Sequence, residues 1–268
     1  MVRSALLLAA GLGTRLRPLT DVLPKCLVPI RGRPLLEYWL QCLVGAGVER
    51  ILVNTHYRAD LVEYYVARSP WAARVTLVHE PKLLGTGGTL VANRNFLLHG
   101  GPFMVAHADN LSVFDARGFA AAHCARPRAA ALTMMTFTTD APKTCGIVTT
   151  DAQGLVVGFF EKVMNPPGNR ANAAVYIMEQ EVLGFAAALK KPLLDISTEV
   201  LPRFLGRMWT WHNSVYHRDI GNLASWKTAQ RDYPVTIPTP PVPDPWLPLL
   251  ESKARDAGSV IAHLLAEK

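Results

Sequence analysis

Leu8-Ala9-Ala10-Gly11-Leu12-Gly13-Thr14-Arg15-Leu16-Arg17-Pro18-Leu19-Thr20, with Pro24-Lys25 close behind, is the stretch from which the fold can be read. The apolar run over residues 3–9 reads as a strand buried on both faces, the kind found at the centre of a parallel sheet. It passes directly into two glycines, a threonine and two arginines. Without Cβ atoms, Gly11 and Gly13 let the backbone turn tightly and bring N–H groups against anionic oxygens. Arg15 and Lys25 add forked and mobile positive charge. A phosphate-handling loop at the carboxyl end of a strand is the expectation.

Further along, Pro34 opens a helix whose Leu36, Leu40, Leu43 and Val44 recur at helical spacing, and Gly45 and Gly47 close it. Ile51-Leu52-Val53 reads as a second buried strand, followed by a helix over 58–68 and a strand at Val75-Thr76-Leu77-Val78. This βαβαβ order predicts an α/β, Rossmann-like doubly wound mixed sheet. Glu80-Pro81 leads to a second glycine loop, Leu84-Gly85-Thr86-Gly87-Gly88-Thr89, and a helix to about Phe96. A fourth strand, Phe103-Met104-Val105-Ala106, ends in His107-Ala108-Asp109-Asn110. Ligands of open α/β sheets gather at the carboxyl ends of strands, and all three of these stretches lie there.

After a helix near 116–125 the chain turns strand-rich, with strands at 131–138, 146–150, 155–161 and 174–178 and a hairpin turn at Asp151-Ala152-Gln153-Gly154. A helix is expected from Ile196 to Leu205 with Ser197 as its N-cap, then strands around Trp209 and Val215 and a helix over 223–231. The organisation is one domain over 1–232, divided into halves at 125/126, with the strand-rich half laid over the first as a lid. Residues 233–268 form a tail: seven prolines fall within 234–248, and an amphipathic helix is expected over about 249–266. That helix is expected to dock on the body or on a second copy, so a homodimer through the tail is one expectation.

The 268 residues are half apolar and 18% charged, the composition of a globular body with a large core. No segment reaches the ~18 apolar residues of a membrane span. The N-terminal run continues into the glycine loop, so it reads as a retained strand rather than a leader, and a cytoplasmic setting is expected. Cys26, Cys42, Cys124 and Cys145 form no C-x-x-C pair and indicate neither zinc nor a disulfide framework. The net charge of +7 has no basic cluster with interleaved aromatics behind it, which argues against nucleic acid and leaves small polyanions as partners.

The first loop is not a dinucleotide fingerprint, because Leu16 stands where a third small residue belongs, and no G-x-x-x-x-G-K-[ST] occurs. The whole run instead resembles the signature of the sugar-1-phosphate nucleotidylyltransferases, close to Ala-Ala-Gly-x-Gly-Thr-Arg-Leu-x-Pro-Leu-Thr and then Pro-Lys-x-Leu-x-Pro. Here these are Ala9 to Thr20 and Pro24-Lys25-Cys26-Leu27-Val28-Pro29. The resemblance continues through Leu84 to Gly88, Asp109, Gly146, Glu161-Lys162, Asn172 and Asp219-Ile220-Gly221, and so covers about residues 1–232.

The resemblance implies transfer of a nucleoside monophosphate from a nucleoside triphosphate to a sugar 1-phosphate, with 1–125 as the nucleotide half and 126–232 as the sugar-phosphate half. It implies Arg15 on the departing pyrophosphate, Lys25 at the α-phosphate, and Asp109 and Asp219 sharing a Mg²⁺ ion. Ala10, Gly11, Gly13, Thr14, Gly85, Thr86 and Gly88 would contact nucleotide. Gly146, Glu161, Lys162 and Asn172 would hold the sugar phosphate. Guanine offers two adjacent donors that suit a carboxylate, so Glu80 favours GTP. The second glycine loop also looks more like the mannose or manno-heptose guanylyltransferase branch.

Four departures bear on this. Ala108 stands where Gly is common, Cys145 where many members have Tyr, Val163 where Pro follows Glu-Lys, and Ala174 where Gly is usual. Three of them lie in the sugar half and leave thymidylyl or uridylyl transfer to glucose-type sugars as the alternative. A glycosyltransferase would be expected to carry Asp-x-Asp, which Asp109-Asn110-Leu111 lacks; a catalytically silent nucleotide-sugar sensor is the remaining rival.

Overall fold

The computed structural model describes residues 2–98, 101–234 and 246–266. Strand β1 (Ser4–Leu8) is buried along its whole length and is followed by the short helix α1 (Leu19–Val22). The alternation then runs α2 (Leu35–Gly45), β2 (Arg50–Thr55), α3 (Ala59–Arg68), β3 (Val75–His79), α4 (Gly85–Ala92), α5 (Arg94–Leu97) and β4 (Phe103–His107). The parallel order β4-β1-β2-β3 places β1 at the centre of this half, as its apolar run predicts.

Both faces are covered, and the period-2 alternation of β1 assigns each side chain to a face. Ala5 and Leu7 join Leu36, Leu40, Leu61 and Tyr65 of α2 and α3 on one side. Leu6 and Leu8 join Leu90 and Leu97 of α4 and α5 on the other. Each fully buried leucine contributes about 1.5–3 kcal/mol, so the two layers fix the strand ends that carry the loops.

The second half continues as β5 (Asn110–Val113), α6 (Ala116–Ala125), β6 (Leu132–Thr138), β7 (Gly146–Thr150), β8 (Val156–Glu161), β9 (Arg170–Met178), α7 (Gln180–Ala188), β10 (Met208–His212), β11 (Tyr216–Asp219) and α8 (Leu223–Asp232). It is not a separate layer laid over the first half. β9 pairs antiparallel with β4, and β6 to β10 extend the same nine-stranded sheet at that edge. The hairpin turn forms where expected: Asp151 Oδ1 accepts from the amides of Gln153 and Leu155 at 2.9 Å, and Gly154 takes φ 82°.

Three expectations need correction. Residues 196–205 do not form an α-helix but a π turn (Ile196–Val200) and a 3₁₀ turn (Leu201–Phe204), because Pro202 has no N–H to continue the ladder. The cap is Asp195, whose Oδ1 accepts from the Thr198 amide at 3.0 Å, not Ser197. The tail forms two helices, α9 (Trp246–Ser252) and α10 (Arg255–Ala266), and the small, buried Ala254 and Ala257 let the second turn into the core. Most of the proline-rich stretch, residues 235–245, lies outside the described residues. Helix α7, to which the sequence reading gave no element, buries Val182, Leu183 and Ala186.

Candidate active site

Loops from the ends of β1, β2, β3 and β4 converge on one cavity of about 250 Å³. Its lining includes Ala10 and Gly11 from the first loop, Asn54, Glu80, Gly85 and Thr86, and His107 and Asp109. A larger cavity of about 520 Å³, lined among others by Tyr38, Phe114 and Tyr233, contains none of the predicted site residues.

The two glycines of the first loop serve different ends. Gly11 has open space where a Cβ would point, so its backbone is accessible from the cavity. Gly13 takes φ 64°, and a Cβ there would stand 2.8 Å from Thr20 Cγ2 and 3.2 Å from Lys25 Cβ. Thr20 Oγ1 also donates to the Gly13 carbonyl at 2.8 Å. Gly13 therefore folds the loop back onto the segment carrying Lys25. Thr14 and Arg15, in the short turn Thr14–Leu16, remain exposed.

Lys25 is buried, yet its ammonium lies 2.5 Å from Asp109 Oδ2 and 3.9 Å from Asp219 Oδ1. Topology brings the two carboxylates together across 110 positions of sequence. β5 pairs antiparallel with β11, setting Asp219 opposite Asn110, and the Ile220 amide donates to the Asp109 carbonyl at 3.2 Å. Burial alone would raise the Asp109 carboxyl, but the charges of Lys25 and His107 outweigh it and hold the carboxyl below the usual carboxylate range. Asp219 is pushed the other way, first by desolvation and then by the Asp109 charge, against the pull of Lys25, Arg15 and His107. His217, two residues from Asp219, pairs through Nδ1 with Ser112 Oγ at 2.6 Å, and burial lowers it to about 3. It is a neutral packing group at physiological pH.

The donor set suits magnesium rather than a metal caged by protein. Among the described residues no three His, Cys, Asp or Glu side chains form a metal-binding group. Two carboxylates beside the Gly11 loop match an ion that keeps waters and takes its other ligands from a bound substrate.

In the second half, Gly146 pairs with Glu161, and a Cβ at Gly146 would stand 2.5 Å from Glu161 Oε2. Lys162 adopts φ 50°, with its ammonium 3.3 Å from Glu161 Oε1. The Asn172 amide is committed internally: Oδ1 accepts from the Ala174 amide at 2.9 Å and Nδ2 donates to Tyr176 OH at 2.7 Å. This closes a register shift in β9 in which Ala174 takes φ 53°, a left-handed conformation that explains why glycine is the usual residue there.

Residues 4–235 match the Nucleotidyl transferase family. The chain belongs to that family. It is 32% identical over 222 residues to mannose-1-phosphate guanylyltransferase of Mycobacterium tuberculosis, a match covering 81% of this chain and 60% of that protein. It is 33% identical over 182 residues to the mannose-1-phosphate guanylyltransferase catalytic subunit beta of Drosophila melanogaster, covering 67% and 49%. The chain thus spans between about half and three fifths of the length of these curated relatives. HddC from Yersinia pseudotuberculosis, solved in complex with GMP-PN, shares its fold with a TM-score of 0.72 at 23% identity, covering 87% of this chain and all of that one.

Two parts of this candidate site were not anticipated from sequence. Asn54 joins three strand ends: Oδ1 accepts from the Ala9 amide at 2.7 Å, while Nδ2 donates to Glu80 Oε1 at 3.0 Å and Thr89 Oγ1 at 3.3 Å. A polar residue closing the apolar Ile51-Leu52-Val53 run was the available signal. The second part is the Leu194 segment, which seats the second glycine loop. The amides of Gly87 and Gly88 donate to the Leu194 carbonyl at 2.8 and 3.1 Å, and Thr86 Oγ1 donates to Asp195 Oδ2 at 3.0 Å. Gly85 and Thr86 line the cavity, whereas Gly87 and Gly88 face Leu194 or Leu84.

Gly85 takes φ 75°, and a Cβ there would stand 2.5 Å from the Leu194 carbonyl oxygen, a backbone atom that cannot swing aside. Gly85→Ala is therefore expected to cost at least about 2 kcal/mol, roughly 4–8 °C in thermal unfolding. An unchanged midpoint would mean that the loop is not clamped at Leu194.

Proposed function

We propose that the chain is a sugar-1-phosphate guanylyltransferase, transferring GMP from GTP to a mannose- or manno-heptose-type sugar 1-phosphate. The observation that carries this is Lys25 held between Asp109 and Asp219 beside the cavity formed by the Gly11 loop. In the reaction, a phosphate oxygen of the sugar 1-phosphate attacks the α-phosphorus of GTP. The bond from that phosphorus to the bridging oxygen breaks, and pyrophosphate leaves with the electron pair. No protein nucleophile is needed, so catalysis consists of aligning two polyanions and neutralising charge.

In the substrate-free arrangement Lys25 serves as the counter-ion of Asp109 and Asp219, and its charge already stands where it can meet the α-phosphate. Arg15, exposed on the same loop, meets the departing pyrophosphate. When bound between Asp109 and Asp219, Mg²⁺ would supply Lewis-acid charge stabilisation at the phosphate oxygens. Lys162 and Glu161 receive the sugar phosphate and sugar hydroxyls, and Gly146 leaves the room that Glu161 occupies.

Glu80 Oε1 is already bonded to Asn54 and Thr89, whereas Oε2 accepts from the Leu84 amide at a long 3.4 Å and can accept from the guanine edge. The names of the relatives support guanine as well. No helix among the described residues is long and apolar enough to cross a membrane. We place the activity in the cytoplasm, supplying activated sugar for surface polysaccharide or glycoconjugate synthesis. A tail-mediated homodimer remains part of this proposal.

The test is a thermal-shift and pyrophosphate-release screen over GTP, ATP, UTP and dTTP with sugar 1-phosphates and Mg²⁺. GTP at 100 times its Kd should stabilise by ~2.7 kcal/mol, about 5–10 °C for a chain of this size. Larger shifts and faster turnover with dTTP or UTP and glucose 1-phosphate would favour the alternative branch. Binding without pyrophosphate release from any pair would identify a nucleotide-sugar sensor.

A further inference from the structure

The apolar cluster beneath the site is built from near neighbours of its functional residues. Leu16 adjoins Arg15, Leu111 lies two positions beyond Asp109, and Ile220 adjoins Asp219; all three are fully buried in this cluster. Helix α10 lies beyond residues 4–235, the part of the chain matched to the family, yet it contributes Leu264 to the same cluster, with Val260 and Ile261 packed against it. Ala257, Val260, Ile261 and Leu264 recur at helical spacing and form one apolar stripe, buried at Ala257 and Leu264 and half-buried at Val260 and Ile261. The helix packs directly on α1, which begins at Leu19 of the signature loop.

We propose that α10 is a positioning clamp for the phosphate loop. Arg15 is exposed, so its place in the site is set by where the backbone of residues 14–22 sits, and that backbone is anchored through Leu16 and Leu19. Leu264 is buried in the same cluster as those two leucines. It is a positioning residue that touches no substrate, and it keeps the Arg15 guanidinium directed at the leaving pyrophosphate. This role for Arg15 rests on the proposed function; the clamp itself rests on packing.

Full-length Leu264→Ala and Val260→Ala, with Leu264→Met as the conservative replacement, test the clamp. Val182→Ala, in the cluster on the opposite side of the sheet, controls for general loss of stability. In Leu264→Ala, amide hydrogen exchange over residues 14–22 should accelerate at least about tenfold, without the same rise in Val182→Ala. KM for pyrophosphate in the reverse direction should rise about tenfold, with KM for the sugar 1-phosphate unchanged, and Leu264→Met should restore both readouts. If Leu264→Ala does not fold, Val260→Ala carries the same comparison.

Unchanged exchange over 14–22 in a folded variant, an equal rise in Val182→Ala, or parallel increases in both KM values overturns the clamp. Exchange requires no substrate. A wild-type chain inactive on every substrate pair would overturn the proposed reaction, while the exchange comparison would still decide the clamp.

Discussion

Replacing Lys25 by alanine is expected to slow pyrophosphate release about 10²–10³-fold, the cost of losing one preorganised charge-stabilising donor. The expectation rests on how little freedom this lysine has. Its side chain is only 8% exposed and its ammonium lies within 4 Å of two carboxylates, so its charge is already in place before substrate arrives. The loss should fall on kcat more than on KM for GTP, because Gly11 and Arg15 still offer the triphosphate a cradle. Near-wild-type pyrophosphate release would remove Lys25 from the mechanism.

Folding should survive this change. A third of the Asp109 side chain remains exposed, so water can solvate the carboxylate that Lys25 leaves behind. Lys25→Arg should not restore activity. The wider guanidinium has to fit where the flanking Pro24, Cys26 and Leu27 are all buried, beneath a loop so close that a Cβ added at Gly13 would stand 3.2 Å from Lys25 Cβ.

The central sheet was legible because β1 and β2 are buried apolar runs and each loop follows its strand directly. The positions of Lys25 and Asp109 at the site follow from that local order. Asp219 became legible only through its family context, since its approach to Asp109 depends on a β5–β11 pairing that no nearby residue announces. Asn54 and Leu194 were missed for the same physical reason. Their partners lie up to 110 positions away, and the identity of Gly85 is explained by a carbonyl that only the folded chain supplies. For the tail, sequence predicts a helix docked on the body or on a second copy and leaves the choice open, because an apolar stripe shows that a face is buried but not against what.

Asp109→Asn and Asp219→Asn should each reduce turnover about 10³-fold and raise the Mg²⁺ concentration needed for half-maximal rate, since removing one of two carboxylates forfeits several kcal/mol of metal-linked charge stabilisation. Their effects on folding should have opposite signs. The Asp109 carboxyl is held below its usual range chiefly by Lys25, so neutralising it strands a buried ammonium and lowers thermal stability. The Asp219 carboxyl is held above its usual range, so at neutral pH its charge is carried at a cost, and Asp219→Asn should raise the unfolding midpoint of the metal-free protein. Activity and stability thus separate: both variants lose Mg²⁺-dependent turnover, but one is weakened and the other strengthened as a fold. Loss of Mg²⁺ dependence in only one variant would sink the shared-metal arrangement, and a destabilised Asp219→Asn would show that its carboxylate contributes to the fold instead of being strained by it.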